Sequence, residues 1–190
     1  MKIFIFTGHV LNDSTSAKLA NEYEKGALEA GYEVKRMNLW DMRFDPILHD
    51  DYRSPQELEP DLQEFQKNLK WADHLVFIYP NWWSAMPAGM KGVFDRTILP
   101  GFAFKFLKDG SLLKLLKGKT ARVISTTSGL HPLLFRAVVG DYTNEIKKGI
   151  LRFCGVEKVR FASFGPTIKA SEERKKSWER KVKKWGSKAI

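Results

Sequence analysis

Short apolar runs alternate along the chain with longer segments in which apolar residues recur every three or four positions. The short runs are KIFIFT (2–7), YEVKRMNLW (32–40), DHLVFIYP (73–80), TARVISTT (120–127) and KVRFASFG (158–165). The longer segments lie near 14–30, 60–71, 90–98, 141–154 and 171–190. The first pattern is typical of strands and the second of helices. Their alternation predicts an α/β fold with a parallel sheet and helices on both faces.

The composition of each run predicts its place in the sheet. The nearly continuous apolar run 73–80 predicts a central strand, and the mixed run 32–40 predicts an edge strand. We expect residues 99–118 to be irregular. Five strands suit the flavodoxin-like order 2-1-3-4-5, and the whole chain, 1–190, forms one domain. Ligands of such sheets bind beyond the carboxyl ends of the strands, here between the first and third strands.

The distribution of charge and the cysteine content argue against a nucleic-acid-binding protein and a disulfide-bonded one. The net charge is +10, and residues 171–190 contain eight Lys or Arg against three Glu. Because Trp178, Val182 and Trp185 form an apolar stripe there, we expect a solvated basic helix and no nucleic-acid partner. A single cysteine, Cys154, rules out an intramolecular disulfide. The four-residue apolar run near the start is too short for a leader or membrane segment, so we expect a cytoplasmic protein without membrane insertion.

The loop after the first strand, GHVLNDSTSAKLA, places three hydroxyl residues, Ser14, Thr15 and Ser16, where a helix starts. Free backbone N–H groups and the positive end of the helix dipole make this position suitable for a phosphate monoester. The alternative is that Asp13 or Ser14 only caps the helix.

The loop after the third strand, PNWWSAMP, holds two adjacent tryptophans between Pro80 and Pro87. The prolines restrict the backbone, so the loop can present Trp82, Trp83 and neighbouring N–H groups to a flat heteroaromatic ring. The alternative is packing in the core or at a subunit interface. We expect the two tryptophans to differ, with one toward the ring and the other buried.

The loop after the fourth strand offers Thr126, Thr127, Ser128 and Gly129, whose small side chains allow close approach of a ligand. His131 follows this loop and is the candidate catalytic residue; the alternative is an ordinary surface histidine. The sequence has no GxGxxG, GxxxxGK[ST], GxSxG or HExxH motif, and its four histidines are widely spaced, so no metal site is predicted. The chemistry is therefore expected to come from a cofactor.

Four stretches resemble the flavodoxin-like NAD(P)H:quinone oxidoreductase family across nearly the whole chain. They are GHVLNDS, FDPIL (44–48), YPNWWSAMPAGMKGVFDR leading to GFAF, and LLKGKTARVISTTSG. The resemblance implies a bound flavin, FMN or alternatively FAD, reduced by NADPH or NADH. Family members transfer hydride to the flavin and then two electrons to a quinone-like acceptor in the same pocket. They are usually homodimers.

The resemblance also implies roles for individual residues, carried over by position. His9, Ser14, Thr15 and Ser16 correspond to the phosphate-binding loop. Pro80, Asn81, Trp82, Trp83 and Ser84 correspond to the loop that contacts the isoalloxazine ring. Thr126, Thr127, Ser128 and Gly129 correspond to the loop at its pyrimidine edge. The chain departs from the family where Ser128 replaces a glycine and Leu134 replaces a tyrosine, which bears on the choice of acceptor.

Two other functions fit the same pocket. A regulatory flavin-binding subunit of a transporter would resemble the potassium-efflux ancillary proteins of this family. A one-electron carrier of the flavodoxin type is the other alternative, although flavodoxins are generally acidic and this chain has a pI near 9.6.

Overall fold

The computed structural model describes residues 1–51, 53–129 and 131–190. Its strands are β1 (Lys2–Thr7), β2 (Glu33–Asn38), β3 (His74–Pro80), β4 (Phe104–Phe106), β5 (Leu112–Lys114), β6 (Thr120–Thr126) and β7 (Lys158–Phe164). Its α-helices are α1 (Thr15–Glu29), α2 (Pro60–Trp71), α3 (Ala88–Thr97), α4 (Pro132–Val139) and α5 (Glu172–Gly186). A 3₁₀ turn (Leu39–Asp41) and a π-helix (Glu145–Arg152) complete the elements.

Five parallel strands form the main sheet in the order β2-β1-β3-β6-β7. With the separate β4–β5 hairpin left out, this is the predicted order 2-1-3-4-5. β3 is central and buried throughout, and β2 lies at an edge, as the patterns of residues 73–80 and 32–40 predict. The order reverses between β1 and β3, so the carboxyl ends of these two strands border the crevice where a ligand is expected.

Alternate residues of each inner strand pack into two separate hydrophobic cores, one on each face of the sheet. Ile3 and Ile5 of β1 pack with α1 and α5 on one face of the sheet. Phe4 and Phe6 pack on the other face, where the Phe65 ring of α2 meets them edge-on at centroid distances of 5.4 and 5.0 Å. Each fully buried phenylalanine contributes about 1.5–3 kcal/mol relative to exposure. Helices therefore cover both faces, as the alternating pattern predicts.

Three elements differ from the sequence prediction. Residues 99–118 contain the antiparallel hairpin β4–β5, which is anchored to the rest of the fold where the Leu116 N–H donates to Cys154 O at 2.9 Å. Residues 132–139 form α4, in a segment for which no helix was predicted. The helix expected at 141–154 is present, but its residues 145–152 are π-helical.

Candidate functional site

The carboxyl ends of β1, β3 and β6 meet around a cavity of about 140 Å³. Eight of the residues expected to bind a cofactor line it: His9, Thr15, Ser16, Pro80, Asn81, Trp82, Thr126 and Ser128. Thr167, two residues beyond Gly165 at the end of β7, completes the lining and was not predicted. The rule that parallel strands deliver their loops to one edge would have found it, since β7 ends at that same edge.

The first loop delivers a capped helix start to this cavity. Ser14 is the N-cap of α1, and its Oγ accepts a hydrogen bond from the Ala17 N–H at 3.1 Å. Ser14 does not line the cavity, whereas the next two residues, Thr15 and Ser16, do. Ser16 Oγ lies 3.1 Å from Thr126 Oγ1, which ties the first loop to the third. The backbone N–H groups of the first turn and the helix dipole suit an anion here.

His9 is oriented by its own loop. Its Nδ1 accepts a hydrogen bond from the Leu11 N–H at 2.9 Å, so the neutral ring carries its proton on Nε2. Burial lowers the pKa of His9, and this effect is larger than the opposite effects of the Leu11 hydrogen bond and the Asp13 carboxylate. The ring meets Trp82 edge-on at a centroid distance of 5.8 Å. His9 is therefore a neutral hydrogen-bond donor at the cavity wall.

Buried polar atoms without partners mark this end of the sheet. Both side-chain atoms of Asn81, Nδ2 and Oδ1, and the Oγ1 of Thr7 lack a hydrogen-bond partner among the described residues. The Asn81 backbone is fixed, because its N–H donates to Thr126 O at 2.7 Å. An unpaired amide presents a donor beside an acceptor, which matches the polar edge of a heteroaromatic ring. The residues present therefore fit a flavin.

The tryptophan loop forms a tight turn. Trp82 and Ala85 exchange two backbone hydrogen bonds of 3.0 Å, and Trp83 and Ser84 have φ values of 54° and 66°. Two residues with positive φ are typical of type I′ turns, and this conformation is costly for side chains other than glycine. Trp82 is 43% exposed and Trp83 is 99% exposed. The expectation that one tryptophan is buried is wrong.

Residues of the loop after β6 have two different environments, at the cavity and against β7. Thr126 and Ser128 line the cavity, whereas Thr127 is buried against the end of β7. The Thr127 N–H donates to Phe164 O at 2.9 Å. A Cβ at Gly165 would lie only 2.0 Å from Thr127 Oγ1, so this contact requires glycine. Of the other expected binding residues, Trp83, Ser84 and Gly129 do not line this cavity.

Glu145 contacts the tryptophan loop from outside the cavity, a contact that the sequence did not suggest. Its Oε2 accepts a hydrogen bond from the Met86 N–H at 3.4 Å. Glu145 is the first residue of the π-helix, and such segments recur at functional sites.

The structure places His131 elsewhere. It is exposed and lines a different, larger cavity beside β7, where its Nδ1 accepts from the Leu133 N–H at 3.4 Å. His131 is thus not brought together with the other site residues. Within the described ranges, no group of three or more His, Cys, Asp or Glu side chains could hold a metal ion. In the same ranges, none of the helices has the length and apolar character needed to span a bilayer.

Comparison with known proteins places this geometry in context. A family model described as a flavodoxin-like fold matches residues 1–189. An uncharacterized NAD(P)H oxidoreductase from Haemophilus influenzae is 31% identical over 151 residues, covering 77% of this chain and 74% of that protein. Human ribosyldihydronicotinamide dehydrogenase (quinone) is 35% identical over 135 residues, which cover 67% of this chain. The match spans only 56% of the human protein.

The fold recurs in a solved structure with a ligand. An FMN-dependent NADH-azoreductase from Bacillus anthracis, in complex with FMN, superposes with a TM-score of 0.76. The match covers 98% of each chain at 20% sequence identity, a level that shows the shared fold alone.

Proposed function

Because this chain belongs to the flavodoxin-like family of NAD(P)H oxidoreductases, we propose that it is a flavin-dependent enzyme that oxidises NADPH or NADH and reduces a quinone or similar two-electron acceptor. The observation that carries the proposal is the buried, unpaired amide of Asn81 in a cavity where three strand ends meet. A bound flavin supplies the hydride and electron transfer, which no side chain here can perform.

The side chains of this chain bind and orient the cofactor. Thr15, Ser16 and the first turn of α1 hold its phosphate, with the helix dipole opposing the negative charge. The Asn81 amide pairs with the polar edge of the ring, and the His9 Nε2–H provides a further donor. Fixed donors at that edge favour the reduced, more negative state of the ring. The rigid turn at Trp83 and Ser84 keeps the loop in place.

FMN is the cofactor we propose, with FAD as the alternative. The small cavity suits a phosphate and a ring edge, and the neighbour from Bacillus anthracis is an FMN-dependent enzyme of the same fold. The acceptor is proposed to be a quinone because the human relative is named as a quinone dehydrogenase. A single cysteine agrees with a cytoplasmic setting.

A homodimer is proposed from large apolar side chains that are exposed in the segments following β1, β3 and β6. Trp83 is almost fully exposed, and Val10, Leu11, Leu133 and Leu134 are exposed by half or more. Exposed large apolar side chains at one end of a sheet favour a protein interface there. Light scattering after size exclusion should give twice the 21.9 kDa mass of the chain. A Trp83→Asp variant should shift the mass toward one chain.

The proposed activity is tested on the purified protein. We expect a yellow protein whose released flavin has the mass of FMN, and which oxidises NADPH or NADH faster when a soluble naphthoquinone is present. A colourless preparation that neither FMN nor FAD reconstitutes would contradict the proposal. A flavoprotein that binds nicotinamide without turnover would instead favour the regulatory function.

A further inference from the structure

The eight basic residues of the segment 171–190 fall into two groups by their surroundings. Four have a partner in the protein: two form ion pairs of 2.8 Å with a glutamate, and two lie over a tryptophan ring. They are Lys175 with Glu172, Lys183 with Glu29, Arg174 with Trp178, and Lys181 with Trp185. The other four are exposed and form no ion pair with a described residue. They are Lys176, Arg180, Lys184 and Lys188.

The four unpaired cations recur at every fourth position. Lys176, Arg180 and Lys184 lie in α5, about 6 Å apart along its axis, and therefore form one ridge on the helix surface. Lys188 continues this cationic ridge in the turn after the helix. Like charges at this spacing repel each other and weaken a helix. An anionic partner would remove that repulsion.

The cationic ridge lies on a broad outer surface and not in a pocket. α5 packs beside α1 on one face of the sheet, and α1 adds two exposed cations there, Lys18 and Lys25. The ridge residues line neither the cavity at the flavin loops nor any of four larger cavities. The shape therefore suits an extended anionic surface better than a small anion.

The apolar side of α5 is already occupied, so contact with a partner is electrostatic. Trp178 and Val182 are buried, and the rings of Trp178 and Trp185 both pack against Phe164. No ring on this helix is left to insert into lipid or to stack on a nucleic-acid base, as single-stranded nucleic acid usually requires. Clusters of four to eight Lys or Arg on an amphipathic helix are typical of binding to anionic headgroups.

We propose that the cationic ridge of α5 binds the headgroup surface of an anionic membrane, without inserting any residue. Each Lys or Arg near such a surface strengthens binding about fivefold, so four strengthen it on the order of several hundredfold. The binding does not depend on the proposed function. It would place a quinone reductase beside the lipid phase in which apolar quinones dissolve.

The test mixes the purified chain with vesicles made of equal parts phosphatidylcholine and phosphatidylglycerol, and measures the fraction that sediments with them. We expect binding that weakens as salt is added and that is absent with vesicles of phosphatidylcholine alone. The variant Lys176→Gln/Arg180→Gln/Lys184→Gln/Lys188→Gln should lower the partition coefficient at least about fiftyfold. Thermal unfolding of the variant confirms that it folds.

A matched control separates the ridge from overall charge. The variant Lys105→Gln/Lys108→Gln/Lys117→Gln/Lys148→Gln also removes four positive charges, from exposed lysines outside α5. Its partition coefficient should stay within about threefold of the wild-type value, because salt screens distant charges.

Three results would overturn the proposal. They are absence of binding to the anionic vesicles, equal weakening in the two variants, and binding to a DNA duplex but not to the vesicles. Sedimentation with vesicles needs no flavin, so a colourless protein would contradict the proposed function and leave this test intact.

Discussion

The amino and carboxyl ends of the five-stranded sheet differ in how their buried polar groups are partnered. At the amino end, His74 is 1% exposed, with its Nε2 3.0 Å from the Tyr23 hydroxyl and its Nδ1 2.6 Å from Thr120 Oγ1. At the carboxyl end, the Thr7 hydroxyl and the Asn81 amide have no partner among the described residues. The first arrangement is complete within the protein, and we propose that a ligand completes the second.

The free-energy cost of unpaired buried polar groups indicates what each end of the sheet does. A buried polar group without a partner costs about 1–3 kcal/mol, whereas a fully paired network helps to fix one packing arrangement. The amino end therefore serves stability. The carboxyl end gives up some stability, and under the proposed function it recovers that stability when the flavin pairs with Asn81.

The largest expected effect is a pH dependence of stability, caused by His74 at the amino end of the sheet. Burial, with the charges of Arg122 and Arg160, lowers the pKa of His74 to about 4, so the folded protein holds this ring neutral. The contribution of the neutral His74 ring to stability is complete above pH 6.5, the pKa of histidine in the unfolded chain. It is lost as the pH falls from there toward 4. A shift of this size corresponds to about 3 kcal/mol of unfolding free energy. Urea denaturation at pH 7.5 and 4.5 measures it.

Two variants separate this effect from general acid destabilisation. Glutamine cannot titrate, so the His74→Gln variant should lose much less stability than the wild type between pH 7.5 and 4.5. The difference should be most of the 3 kcal/mol, that is about 2–3 kcal/mol. His9→Gln, at the carboxyl end, should change the loss much less, because His9 is less buried. Equal pH dependence of the wild type and His74→Gln would show that the buried ring is not responsible.

The second effect tests whether the unpaired amide serves the ligand. Asn81→Leu should leave the flavin-free protein equally stable or about 1 kcal/mol more stable, since it removes an unsatisfied group. Flavin affinity should fall about tenfold, because one ligand hydrogen bond is worth about 1–1.5 kcal/mol. Thermal unfolding and fluorescence titration with FMN provide the two measurements.

Matched substitutions control for burial and for position. Asn68→Leu removes another amide whose Oδ1 is unpaired, but one buried on α2 away from the cavity, and should not change flavin affinity. Tyr23→Phe removes a paired hydroxyl at the amino end and should cost about 2 kcal/mol of stability. If Asn81→Leu destabilises the flavin-free protein as Tyr23→Phe does, the contrast between the two ends is wrong.

The smallest effect concerns backbone strain. Turns that lead into the amino ends of strands place glycine at positive φ, as at Gly31 and Gly118, whereas the tryptophan loop places Trp83 and Ser84 there. Ser84→Gly should raise the unfolding free energy by about 1 kcal/mol, and Gly118→Ser should lower it by a similar amount. The flavin Kd of Ser84→Gly should rise, since the loop loses rigidity. Thermal unfolding in which both substitutions destabilise would contradict the assignment of strain to the loop.

Strands and most helices could be predicted because each depends on residues close in sequence. The continuous run at 73–80 specifies a buried central strand, and the helix near 60–71 appears as Pro60–Trp71. The hairpin β4–β5 could not be predicted, because its strands have three residues each and are held by contacts with distant backbone. α4 was missed because Leu133, Leu134 and Val138 are exposed, so no polar face reveals its period.

The site was predictable as a set of loops but not as a set of contacts. Periodicity and strand order indicated which three loops would meet. That Ser14 caps α1 was one of the two alternatives the sequence offered. Periodicity and strand order did not indicate that Thr127 packs on Gly165 or that Trp83 is fully exposed. Those outcomes depend on backbone geometry that residues far apart in sequence impose on each other.

The sequence by itself therefore determined the order of the five strands of the main sheet, the central place of β3 and the three loops that reach one edge of the sheet, because these follow from local hydrophobic period and from parallel topology. Only the tertiary structure decided that His131 lies in a separate cationic cavity and that the buried Asn81 amide has no partner among the described residues. Burial and hydrogen-bond partnering are properties of assembled surfaces, and the chain acquires them only when distant segments pack together.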